Sequence, residues 1–183
     1  MFPIDHTINI LFSNNVDNPV TTGAFYAASW LFDPVPFTIL LILSVFVVYK
    51  RLGKKESVMF AAAPILAFVL AWVLKISFDV ARPVHPLIYA FGPSFPSGHA
   101  AVSTAYFLSI LHFNRWTHNK WRRTVHYVFC IVCPLFVGIS RLYFGVHWLS
   151  DVLVGYVVGA IAVYISIHYV IKIIVNEYDI IIY

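Results

Sequence analysis

The chain has 183 residues, of which 61% are apolar, 17% aromatic and only 11% charged. A soluble globular domain carries about 25% charged residues, so this composition, with a mean hydropathy of +0.83, excludes that class together with disordered and collagen-like chains. The formal charge of +4 is no nucleic-acid signal until the charges are placed, and their placement follows membrane topology instead.

At about 20 residues per span, the length accommodates five membrane helices, with room for a sixth. The expected fold is an all-α polytopic membrane helix bundle plus an N-terminal interfacial helix, with no separate soluble domain. Residues 1–33 form the N-terminal segment and 34–183 the transmembrane domain. The start, MFPIDHTINILFSNN, has neither a basic n-region nor an unbroken apolar run, which argues against a cleaved signal peptide. A short interfacial helix is expected from Pro19 to Phe32, because Asp33, Pro34 and Pro36 interrupt the apolar run. Proline is tolerated in a helix's first turn, so the first span follows from Pro34 to Lys50. A single kinked span is the alternative. Further spans are expected from Ser57 to Phe78, Gly98 to Phe113, Val125 to Ile139 and Trp148 to Val175. Cys130 and Cys133 lie in the fourth. They lack the second half of a zinc site and the βαβ context of a redox motif, so they read as core packing.

Lys50, Arg51, Lys54 and Lys55 fall between the first two spans, and Arg115, Lys120, Arg122 and Arg123 between the third and fourth. Short basic loops face the cytoplasm, which places segments 79–97 and 140–147 on the opposite face with Asp5, Asp17 and Asp33. Nucleic acid is not an expected partner.

Three polar clusters remain on that outer side, where ionisable groups are costly unless they serve a function. In KISFDVARP, Lys75 and Arg82 would share a face if the helix persisted; taken alone, both also read as cations snorkelling to the headgroups. In FPSGHAAVSTAYF, Ser97, Gly98 and His99 open a helix. A Ser cap, a Gly without Cβ and the positive end of the helix suit an anion, although a plain cap needs no function. In SRLYFGVHWLSD, Arg141 precedes His147, and Asp151 follows four residues later, spaced to hydrogen-bond one imidazole nitrogen and leave the other free. The bland alternative is a helix-stabilising pair.

Together the three clusters resemble the type 2 phosphatidic acid phosphatase (PAP2) superfamily, whose signature is Lys, six residues, Arg-Pro; Pro-Ser-Gly-His; and Ser-Arg, five residues, His, three residues, Asp. All three are present without departure between residues 75 and 151. The resemblance implies an integral-membrane lipid phosphatase with His147 as nucleophile, Asp151 as its orienting partner and His99 as general acid. It also implies that Lys75, Arg82, Ser97, Gly98 and Arg141 bind the phosphoryl group, with no metal and no cofactor. His147 should begin neutral and His99 charged, giving a bell-shaped pH profile. Small size, short loops and an outward site resemble bacterial undecaprenyl-diphosphate phosphatases, which recycle the cell-wall lipid carrier at the plasma membrane. Phosphatidate and phosphatidylglycerophosphate are the alternative substrates. An anion-binding transporter is the non-enzymatic alternative. Soluble vanadium-dependent haloperoxidases share the signature, but the spans argue against that class.

Overall fold

The structure, a computed structural model, describes residues 3–13, 18–113 and 119–170. These form helices α1 (Pro3–Ser13), α2 (Pro19–Leu31), α3 (Pro34–Leu52), α4 (Lys54–Phe78), α5 (Gly98–Phe113), α6 (Lys120–Tyr143) and α7 (Leu149–Ile165), the last continuing into a π-helical turn, Ser166–Val170. Local chemistry sets several boundaries. Asn18 Oδ1 accepts from the Val20 and Thr21 amides ahead of α2, and Asn119 Oδ1 accepts from the Arg122 amide ahead of α6, the usual use of Asn as an N-cap. Gly53 alone joins α3 to α4, at φ 102° and ψ −176°, a conformation essentially reserved for glycine. Lys50, Arg51, Lys54 and Lys55 are therefore all helical, where the sequence suggested an intervening loop.

α3 to α7 alternate in direction. The start of α3, the end of α4, the start of α5, the end of α6 and the start of α7 meet at one end of the bundle. The basic residues 50–55 and 120–123 lie at the other. α3, α4, α6 and the stretch Leu149–Tyr169 are each long and apolar enough to cross a membrane. α5 has 16 residues, a length of about 24 Å, and is the central helix, packed against α4, α6 and α7. The chain is a membrane protein; α5 coincides with the third expected span, Gly98–Phe113, but is shorter than the other four.

Apolar side chains gain little by leaving lipid for one another, so membrane helices associate through small residues that let backbones approach. The core follows that rule. Ala63, Ala67 and Ala71 of α4 meet Ala101 and Ala105 of α5 and Val158 and Ala162 of α7. A Cβ on Gly155 would lie 2.7 Å from the Ser97 carbonyl oxygen, and one on Gly159 would press on the Ala101 carbonyl. A second core, built from Phe32, Phe60, Tyr106 and Phe107, takes in Cys130. Both cysteines are free thiols, and Cys133 packs against the same cluster. α3 has no buried residue, and Ile39, Ile42, Leu43 and Phe46 face outward as a lipid-exposed surface requires.

Two further outcomes differ from the sequence reading. α6 runs well beyond Val125–Ile139, because KWRRT extends the helix from the Asn119 cap although it is polar. α1 was not anticipated. It lies across the site end against α6 and α7, where the buried Asp5 carboxylate accepts from the Ser150 amide and hydroxyl, both at 3.0 Å. His6 stands edge-on to Trp148, with ring centroids 4.9 Å apart. Polar anchors hold this helix, which is why its weak apolar pattern gave no signal. α4 stops at Phe78, as expected, with Asp79 left-handed at φ 44°, so the condition on which Lys75 and Arg82 would share a helix face is not met. Arg115, Asp17 and the expected continuation to Val175 lie outside the described residues.

Candidate active site

His147 sits in the five-residue connection between α6 and α7 and is 3% exposed. Its Nδ1 is 3.2 Å from Asp151 Oδ2, and the same oxygen accepts from the Trp148 amide at 2.9 Å. The i to i+4 spacing therefore works differently from two residues on one helix face. His147 precedes the helix, Trp148 is the N-cap, and the carboxylate reaches back from the first turn to bind both. The pairing assigns the Nδ1 proton to the bond with Asp151 and leaves the Nε2 lone pair outward, 3.4 Å from Arg82 Nη1. Burial, then the cations Arg141, Lys75 and Arg82, hold the imidazole pKa well below its ordinary value. Removing a cation's solvation is costly and like charges add to that cost, so the neutral base is favoured.

The three cations surround this ring from three elements. Lys75 Nζ, at the end of α4, donates to the carbonyls of Pro93 at 2.7 Å and Ser94 at 3.0 Å. Arg82 spreads its guanidinium over the outer connection, with Nε on Gly92 O, Nη1 on Val146 O, and Nη2 on Phe91 O and Pro93 O. The sequence suggested a direct phosphate ligand. The structure shows Arg82 also stitching segment 91–93 to residue 146. Arg141, 4% exposed, places Nη1 against Ser29 Oγ of α2, while its buried Nε has no protein acceptor.

The Pro-Ser-Gly-His segment closes the site from α5. The Ser97 amide donates to the Asp151 carbonyl at 2.9 Å, which locks the start of α5 to the turn carrying the His147 partner. Ser97 Oγ accepts a long bond of 3.4 Å from the Ala100 amide. A Cβ on Gly98 would meet no atom within 4 Å, so packing does not require the glycine. A residue without a Cβ leaves the first-turn amides open to close approach. His99 follows, with Nε2 2.9 Å from Asp33 Oδ1.

All eight residues singled out from the sequence thus converge on one end of the bundle. Four others were missed. Buried Ser94 donates its hydroxyl to the Val80 and Ala81 carbonyls. Trp148 Nε1 donates to Ala81 O at 2.9 Å, and Ser29 and Asp33 approach from the α2–α3 corner. Asp33 carried one signal, a carboxylate placed between two helices beside two prolines, and it was read as a break in the apolar run on the outer face. Among the described residues no group of three His, Cys, Asp or Glu is placed to ligate a metal.

A family model described as the PAP2 superfamily matches residues 56–174. Phosphatidylglycerophosphatase B of Bacillus subtilis is 32% identical over 90 residues, 48% of this chain and 42% of that protein. Undecaprenyl-diphosphatase of Sulfolobus acidocaldarius is 31% identical over 134 residues, 69% of this chain and 58% of that protein. The chain thus spans less than two thirds of the length of either curated relative. Among solved structures, a transmembrane PAP2-type phosphatidylglycerolphosphate phosphatase from Bacillus subtilis superposes with a TM-score of 0.82 at 22% identity, covering 93% of this chain and 86% of that one. Aquifex aeolicus LpxE gives a TM-score of 0.70 at 25% identity, covering 92% and 97%.

Proposed function

Because the chain belongs to the PAP2 superfamily, we propose that it is an integral-membrane lipid phosphatase, and that it hydrolyses undecaprenyl diphosphate to undecaprenyl phosphate and phosphate through a phosphohistidine. The observation that carries this reading is His147, a buried imidazole with one nitrogen on Asp151 and the other 3.4 Å from Arg82, its pKa lowered by burial and by the charges of Arg141, Lys75 and Arg82.

In the first step Nε2 of His147 attacks phosphorus and the bond from phosphorus to the bridging oxygen breaks. His99 delivers a proton to that oxygen, and Asp151 stabilises the charge that develops on the His147 ring. In the second step water attacks the phosphohistidine, His99 takes its proton, and the P–N bond breaks to return His147. Lys75, Arg82, Arg141 and the first-turn amides of α5 hold the equatorial oxygens, with donors now on backbone carbonyls shifting in part to the phosphoryl group. The arrangement supplies the neutralising charge without a metal ion.

The undecaprenyl substrate is supported by the relative of that name, which aligns over 69% of the chain. A phosphatidylglycerophosphate substrate is the second reading, supported by the Bacillus relative. The site is proposed to face away from the cytoplasm, because the basic ends 50–55 and 120–123 lie at the opposite end of the bundle and basic ends stay inside. The deciding experiment is phosphate release by purified protein in detergent, with excess chelator, from undecaprenyl diphosphate, phosphatidylglycerophosphate, phosphatidate and a lipid-free phosphoester. Undecaprenyl diphosphate is expected to give the highest kcat/KM. A higher value for either phospholipid replaces the substrate, and a strict need for added Mg²⁺ removes the metal-free mechanism. An acid-labile phosphoenzyme should disappear in His147→Ala, and label that persists at another residue overturns the nucleophile.

A further inference from the structure

We propose that Asp33 is the positioning partner of the general acid, holding Nε2 of His99 so that the proton delivered to the leaving group comes from Nδ1. The proposal rests on the phosphatase reading above and adds to it a residue from outside the signature motifs, 66 positions away from the histidine it binds.

The geometry begins with a conflict at the start of α3. Asp33 is the N-cap residue, yet its side chain makes no capping bond. An N-cap carboxylate normally accepts from the N2 or N3 amide. Here the sequence is Asp33-Pro34-Val35-Pro36, so N3 is proline and has no N–H to offer. The carboxylate turns instead to His99, with Oδ1 2.9 Å from Nε2. The His99 bond holds the Asp33 pKa below its ordinary value, which keeps it an anion.

The corner that carries Asp33 is itself well placed. Phe32 is buried in the aromatic core beside Phe107 of α5, about two turns below His99, and Ser29 sits against Arg141. Asp33 is therefore braced from both sides, while its own side chain is 46% exposed and that of His99 18%. The charged groups facing His99 are Asp33 from the α2–α3 corner, Arg141 from α6 and Lys75 from α4, with His147 across the site. Asp33 is the single anion among them. Two His–Asp pairs thus flank the site with reversed nitrogens: Asp151 takes Nδ1 of the nucleophile and Asp33 takes Nε2 of the acid. A carboxylate on one ring nitrogen fixes which nitrogen faces the reaction and favours the charged ring.

The test uses full-length protein in detergent and kcat/KM, which reports the steps through leaving-group departure. A lipid alkoxide or phosphate needs a proton as it leaves, whereas p-nitrophenolate does not. Asp33→Asn keeps an acceptor but removes the charge, and is expected to lower kcat/KM for the lipid substrate by about 10- to 100-fold, a fraction of what general acid catalysis supplies. For p-nitrophenyl phosphate the expected change is less than about threefold on the same reasoning. Losing the anion makes a charged His99 less favourable, so the basic limb of the lipid pH profile should move to lower pH. Asp33→Glu should restore part of the rate. Asp33→Asn added to His99→Ala should cost nothing further. Equal losses on both substrates, or a further loss in the His99→Ala background, overturn the proposal. If Asp33→Asn lowers both rates because the protein misfolds, the phosphoenzyme formed from p-nitrophenyl phosphate is lost as well, and Asp33→Glu then decides: an unchanged leaving-group dependence in that folded variant also overturns it. Failure of the underlying phosphatase reading shows separately, as phosphate release that survives His147→Ala.

Discussion

At the residue level the proposed mechanism needs one imidazole kept neutral beside the charges of Arg141, Lys75 and Arg82. Lys75→Met removes one of the cations that hold the His147 pKa down, so that pKa rises toward its ordinary value and the acid limb of kcat/KM moves to higher pH. A limb that stays in place means that His147 is not the group titrating there. Asp151→Asn leaves Trp148 capped but loses the Nδ1 tautomer, and kcat should fall on the order of 10²- to 10⁴-fold, the cost of a mis-set imidazole in a catalytic pair. Gly98→Ala separates ligand approach from packing. Its Cβ meets nothing within 4 Å, so thermal stability should hold while vanadate affinity and kcat/KM drop together. A stability loss without a change in vanadate affinity assigns the glycine to the fold instead. These residues were legible because each motif is local: a fixed spacing places a cap, a glycine and a histidine on one turn whatever the rest of the chain does. Asp33 was not, because its contact with His99 depends on which helix start its side chain reaches.

At the level of elements, α7 sets the position of the α5 start through two glycines. Gly155→Ala puts a methyl 2.7 Å from the Ser97 carbonyl and 2.8 Å from the Ala100 Cβ, both on a buried helix start that cannot yield cheaply. Overpacking of this kind costs about 1–3 kcal/mol, and the displaced Ser97–Asp151 bond should lower activity at least about tenfold by the same misplacement that affects positioned groups generally. Gly23→Ala in α2 is the control. A Cβ there meets no atom within 4 Å, and a helix-interior Gly to Ala change is neutral or stabilising by about 0.5–1 kcal/mol. Melting both variants in one detergent and assaying them side by side checks the pair. Equal effects at the two positions would remove the close-packing account of α5 and α7.

At the level of the whole molecule, the charge distribution and the site lie at opposite ends of one bundle. With Cys130 and Cys133 first replaced by Ala, Tyr89→Cys and Lys120→Cys offer exposed thiols at the two ends, Tyr89 being 87% exposed. An impermeant thiol reagent on intact cells should label position 89 and not 120. The reverse pattern would put the site in the cytoplasm and exclude a lipid diphosphate presented from outside. α5 bears on the same question. Its length of about 24 Å is less than a hydrocarbon core of about 30 Å, so a helix centred in the bilayer would hold its first turn a few ångströms inside the hydrocarbon boundary, and a lipid phosphate would have to enter that far to reach it.

The amino-acid sequence alone determined that the chain crosses a membrane, where most of its helices run, which end carries the basic residues, and which eight residues are candidates for the site. Each of these is written in composition, in a run of about 20 apolar residues or in a spacing within one turn, and none needs a partner from elsewhere in the chain. Only the tertiary structure decided that Asp33 meets His99, that Ser29 meets Arg141, that Arg82 binds the outer connection as well as facing His147, and that α1 docks on the first turn of α7. Those contacts depend on how the helices pack. In lipid that packing is set by small residues and close backbone approach, not by an apolar stripe, so hydropathy cannot distinguish the face of a helix that meets protein from the face that meets the bilayer.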